Sequence, residues 1–103
     1  MSALQELQNW YISQCNEDWE HTYGVTIGTL NNPGWSVTIE LTDTDLADKA
    51  FPVYSYGVKD DANHSGNNWT ICKVEDNKFI GYGGPMELEE ILNVFLSWAK
   101  SYA

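Results

Sequence analysis

The chain contains no arginine. Its five positive side chains are all lysines, set against fifteen Asp and Glu, for a formal charge of −10 at pH 7. Proteins that grip nucleic acid neutralise phosphates with clustered Lys and Arg, so this balance argues against DNA, RNA or an anionic membrane surface as partner. It attracts basic partners instead, mainly by speeding encounter. Cysteine is scarce too: Cys15 and Cys72 are too few for a disulfide framework and do not form a CxxC pair. The N-terminus lacks a basic start followed by an apolar run, and no stretch approaches the roughly 20 apolar residues of a membrane span. A reduced, cytoplasmic protein is expected, in which the glycosylation-type triplets at Asn63 and Asn68 carry no meaning. Neither an internal repeat nor an interdomain linker is present.

Aromatic residues are what the chain has in excess, with five Trp and six Tyr among 103 residues and a hydrophobic fraction of 43%. That composition is far from the signature of disorder. A single domain of this length buries roughly 60 to 70% of the surface of its unfolded chain and folds without staples. Trp and Tyr also anchor protein interfaces. Trp35 and Trp98 are assigned to the core, which leaves Trp19, Tyr23 and the Tyr54/Tyr56 pair as candidate surface anchors.

Ser2 followed by Gln5 is a capping-box pattern, and Leu4, Leu7 and Tyr11 recur at helical spacing with Trp10 widening the stripe. A first helix is expected over about Ala3 to Cys15, closed by polar, turn-favouring residues from Asn16 to His21. From Tyr23 the period becomes two. Val25 and Ile27 share one strand face, and after the turn Asn31-Asn32-Pro33-Gly34 the residues Trp35, Val37, Ile39 and Leu41 alternate with Ser36, Thr38, Glu40 and Thr42. These two strands should form a hairpin.

Asp43 to Lys49 reads as acidic and irregular, Phe51 to Val58 as a weaker strand placed at an edge by Pro52, and Lys59 to Asn68 as a polar loop. Trp69 to Glu75 and Lys78 to Tyr82 flank Asp76-Asn77, a two-residue hairpin connection. Gly83-Gly84-Pro85 opens a last helix with Pro85 at its first position, Glu87, Glu89 and Glu90 near its positive end, and an apolar stripe of Leu88, Ile91, Leu92, Phe95, Trp98, Ala99 and Tyr102. The fold class is α+β: a small antiparallel sheet of about four to five strands with an N-terminal and a C-terminal helix packed on it.

The segment QCNEDWEHTYG, Gln14 to Gly24, concentrates a thiol, three carboxylates and an imidazole. Cys15, His21, His64 and Cys72 could ligate zinc, but structural zinc ligands come as close pairs and these are isolated, so no metal site is expected. A nucleophilic thiol needs an electropositive setting, and the surroundings here are acidic. Asp18 and Glu20 could serve acid–base chemistry, yet in an extended segment they are equally a solvated face. Gly81-Tyr82-Gly83-Gly84 lacks the Lys and Ser or Thr of a phosphate loop and reads as a strand-to-helix turn.

Trp10, the Cys15 to Gly24 segment with its Asp18-Trp19-Glu20-His21 centre, the Asn32-Pro33-Gly34-Trp35 turn, Trp69 with Cys72, and Gly83-Gly84-Pro85 before a Leu-rich helix together resemble the immunity protein 53 family of bacterial polymorphic toxin systems. The resemblance covers nearly the whole chain in order. One departure is Glu17, which stands where the family pattern has a small residue, often Gly. The resemblance implies a cytoplasmic, non-enzymatic protein without cofactor that binds and neutralises a cognate toxin domain.

A toxin that acts on nucleic acid, a basic nuclease for example, offers a cleft that carboxylates can occupy. The candidate toxin-binding surface combines Glu17, Asp18, Trp19 and Glu20 with Asp43, Asp45 and Asp48, because both segments are acidic, irregular and adjacent to the first hairpin. Trp19 and His21 have a second reading, as residues that fix the crossing from the first helix to the sheet. The competing function is a small thiol-dependent, sulfur-transfer type enzyme using Cys15 or Cys72. A third is a ligand-binding module with an apolar pocket.

Overall fold

The structure, a computed structural model, describes residues 2–31, 33–57 and 69–102. It contains helix α1 (Ala3–Gln14), a one-turn helix α2 (Trp19–Thr22), strands β1 (Val25–Leu30), β2 (Gly34–Glu40), β3 (Tyr54–Tyr56), β4 (Thr70–Glu75) and β5 (Lys78–Gly83), and helix α3 (Leu88–Ser101). The strands form one antiparallel sheet in the order β1-β2-β5-β4-β3. The expected α+β architecture is therefore present, with two hairpins joined through β2 and β5 and with β3 at an edge. The end of the third strand at Val58, the polar loop with His64, and Asn32 of the first turn lie outside the described residues.

Alternation in the strands sets the core. Val37, Ile39, Cys72 and Phe79 are fully buried on one sheet face, and Ile91, Leu92, Phe95, Leu96 and Trp98 of α3 pack with them. Full burial of such side chains contributes about 1.5–3 kcal/mol each. Asp76 and Asn77 both take positive φ, 54° and 58°, the geometry a two-residue reversal needs to match strand twist. Gly81 is required for a different reason: a Cβ there would stand 2.5 Å from Ile91 Cγ2, so its absence lets α3 lie down on β5. Gly81 and Gly83 thus belong to β5 rather than to a turn, and the reversal falls at Pro85 and Met86.

Two helix expectations need correction. In α1 the buried face is Ala3 and Leu7 with Trp10 packed against the core, while Leu4 is 54% exposed. The i, i+4, i+7 row starts one residue earlier than Leu4 because α3 meets α1 on that side, with Trp10 and Phe95 edge to face at 5.0 Å. Helix α3 starts at Leu88, with Glu87 at its cap position and Pro85 outside it. The indole of Trp35 donates to the Pro85 carbonyl at 3.0 Å and holds that residue in the preceding turn.

The aromatic excess is largely absorbed in this core. Edge-to-face and tilted contacts of 5.0–6.3 Å link Tyr23, Trp19, Trp10, Phe95, Phe79, Phe51, Trp98 and Tyr102 in one chain of rings. Each such pair adds about 0.5–1.5 kcal/mol beyond burial. The chain of rings ties α2, α1, α3 and the sheet into one body.

Candidate functional site

The stretch after α1 is not an irregular crossing. The Asn16 side chain accepts the amides of Asp18 and Trp19 at 3.0 and 2.9 Å, and the Glu20 carboxylate accepts those of Asn16 and Glu17 at 2.9 Å each. This reciprocal arrangement satisfies four backbone donors and starts the helical turn α2. Backbone hydrogen bonds, from its own amide first and then from Asn16 and Glu17, hold the Glu20 carboxyl below its ordinary range, with the nearby His21 contributing in the same direction. Glu17 pays for the tight reversal with φ 78°, a left-handed conformation.

Trp19, proposed from sequence as a contact residue, is only 3% exposed. Its indole N–H donates to the Thr42 carbonyl at 2.9 Å, and its ring touches Trp10, Tyr11 and Tyr23. Trp19 is therefore a brace between segments and offers no surface. His21 points the other way from its second reading and is exposed.

The residues from Asp43 to Lys49 are equally ordered. Leu46 is 2% exposed and anchors three successive turns, in which Thr44 donates its hydroxyl to Leu41 and the Asp48 amide bonds the Asn77 side chain. Asp43 and Asp48 both sit at φ 62°. Short polar side chains tolerate that conformation better than most. The consequence is that Glu17, Asp18, Asp43, Asp45 and Asp48 are all exposed on two segments joined through the Trp19–Thr42 bond, whereas Glu20 is half-buried and already bonded. None of these carboxylates is in an ion pair among the described residues.

The thiols offer little chemistry. Cys72 is fully buried, and burial pushes its thiol up to about 12, with Glu90 adding to the effect. It is not a thiolate near neutral pH, which removes Cys72 as the nucleophile of a sulfur-transfer enzyme. Cys15 is half-buried and donates to the Tyr11 carbonyl at 3.3 Å. It faces the Tyr11 phenol, whose ionisation it makes harder. Among the described residues no three His, Cys, Asp or Glu converge as metal ligands, and no helix is long and apolar enough to cross a membrane.

A depression of about 700 Å3 runs between α1 and the outer hairpin, lined by Leu7, Tyr11, Tyr23, Thr38, Glu40 and Lys78 among others. Its two charged groups are engaged with neighbours: Glu40 accepts from Thr42 at 2.7 Å and pairs with Lys78 at 3.8 Å. Nothing there distinguishes a ligand site from a seam between elements.

The sequence model of one family, Immunity protein 53, matches residues 4–100. The chain belongs to the immunity protein 53 family. No curated protein and no solved structure matches it. Membership in the immunity protein 53 family gives the chain an immunity function and a toxin as its partner. The QCNEDWEHTYG segment divides between buried or bonded residues and exposed ones. Asn16, Trp19 and Glu20 build the turn, and Glu17 and Asp18 are what it presents.

Proposed function

We propose that the protein binds a cognate toxin domain of a polymorphic toxin system and neutralises it by covering its active site with the acidic surface of Glu17, Asp18, Asp43, Asp45 and Asp48. Trp19 and Glu20 belong to this surface as its support. The single observation that carries the reading is that five exposed carboxylates lie on two segments braced together by one buried indole, with no cation paired to them among the described residues. A charged side chain left unpaired at the surface costs little in water and is available to a basic partner.

The partner that fits is a basic nuclease domain. Its substrate cleft would be shaped for phosphates, and carboxylates held on a rigid turn can occupy the same positions. The net charge of −10 steers the encounter, so association is fast and falls with ionic strength. Occlusion of this kind needs no catalytic residue and no cofactor, and it operates in the cytoplasm, where such a toxin finds nucleic acid. Titration against a catalytically disabled toxin domain, with and without charge reversal on this surface, tests the reading.

A further inference from the structure

A second surface, at the β3 edge of the sheet, has the chemistry of a docking cleft. Strand β3 and helix α3 leave a depression of about 490 Å3 between them, floored by Phe51, Tyr54, Val94 and Trp98. It adjoins a second of about 430 Å3 bounded by Tyr54, Tyr56, Glu87 and Glu90, with Tyr54 and Glu90 common to both. One end of the cleft is therefore apolar and aromatic, and the other places two tyrosines against two glutamates.

Three features give the cleft a preferred occupant. Among the described residues, no Lys or His lines the cleft and neither Glu87 nor Glu90 is in an ion pair. The Tyr54 hydroxyl donates to Glu90 at 2.6 Å, which fixes that carboxylate in the cleft wall and raises the Tyr54 phenol to about 12, the hydrogen bond being the largest cause. Tyr56, 56% exposed although it belongs to a strand, presents an aromatic ring beside them. A ring face next to a carboxylate is the setting that holds an ammonium or guanidinium, by cation–π attraction and a charge-assisted hydrogen bond together.

We propose that this cleft receives a basic segment of the cognate toxin, with one Lys or Arg across Tyr54 and Tyr56, its charge on Glu87 and Glu90, and an apolar neighbour against Val94 and Trp98. The proposal rests on the toxin-binding reading and adds a second anchor point to it, at the β3 edge of the sheet, where Ala50 and Phe51 continue from the turns that carry Asp43, Asp45 and Asp48. A rigid aromatic anchor with a partly desolvated ion pair is where binding energy concentrates, whereas the exposed carboxylates of the first surface act mainly on encounter rate.

The test is calorimetric titration of the catalytically disabled toxin domain into three forms of the protein: wild type, Tyr56→Ala/Glu87→Gln, and Ser97→Trp, which fills the cleft from an exposed position of α3 without changing charge. Both variants should lose at least tenfold in affinity while their thermal unfolding midpoints match wild type. Tight binding by wild type with both variants within twofold of it overturns the cleft and leaves the toxin reading standing. No binding by wild type overturns the toxin reading and the cleft with it. Self-association of wild type that both variants abolish, with toxin affinity unchanged, assigns the cleft to a second copy of this chain and also overturns the proposal.

Discussion

The indole N–H of Trp19 donates to the backbone carbonyl of Thr42 at 2.9 Å, across 23 positions of sequence. This bond joins the turn that follows α1 to the turns that follow β2, and so brings together the two acidic segments of the proposed interface.

Trp19→Phe keeps a ring in the cluster with Trp10 and Tyr23 but removes the donor and leaves a void. The expected cost is about 2 kcal/mol, the sum of one lost hydrogen bond and partial loss of packing. Chemical denaturation measures it. Toxin affinity should fall as well, although Trp19 is itself buried, because the two carboxylate-bearing segments lose their common support.

Glu20→Gln should make the protein less stable at neutral pH and change nothing in acid. The folded carboxyl is held below its ordinary range, so its contribution is fully present above the unfolded value and is lost as pH falls through the folded one. Unfolding midpoints of the two proteins, measured from neutral pH down through the carboxylate range, should converge at the acid end. A constant gap at every pH would show that the amide bonds do not depend on the charge.

Glu17→Gly should stabilise. A side chain at φ 78° costs roughly 1–2 kcal/mol relative to the right-handed region, and glycine avoids it while adding some unfolded-chain entropy. The net gain expected is about 0.5–1 kcal/mol, read as a rise in the denaturation midpoint.

These residues also show how far the sequence was legible. Both hairpins were readable because Val37, Ile39 and Leu41 alternate with polar residues, and because Asp76-Asn77 and the Pro33-Gly34 turn can reverse the chain where most residues cannot. Helix faces were read less well: Leu4 matched the helical period as well as Ala3 did, and only the packing of α3 against α1 decides between them.

The candidate site was half legible. Its carboxylates are exposed as the acidic composition suggested, but Asn16 to Glu20 read as loop because their polar side chains are the ones that favour turns. The missed signal is reciprocal: an Asn followed four residues later by a Glu can close both ends of a turn on the backbone, as Asn16 and Glu20 do. Trp19 gave no sign in sequence of which way it faced, since a Trp beside two acids serves equally as anchor or brace. The Tyr54/Tyr56 pair could be singled out by residue type, while its meeting with Glu87 and Glu90 depends on how α3 crosses the sheet.

The most direct test of the central claim is calorimetric titration of the catalytically disabled cognate toxin domain into wild type and into Asp18→Lys/Asp45→Lys, each at low and at physiological salt. Both positions are exposed and neither side chain supports the turns, so the fold is kept. The account predicts tight wild-type binding that weakens with salt, and a loss of more than tenfold on charge reversal. Affinity unchanged by the reversal, at either salt, would contradict it.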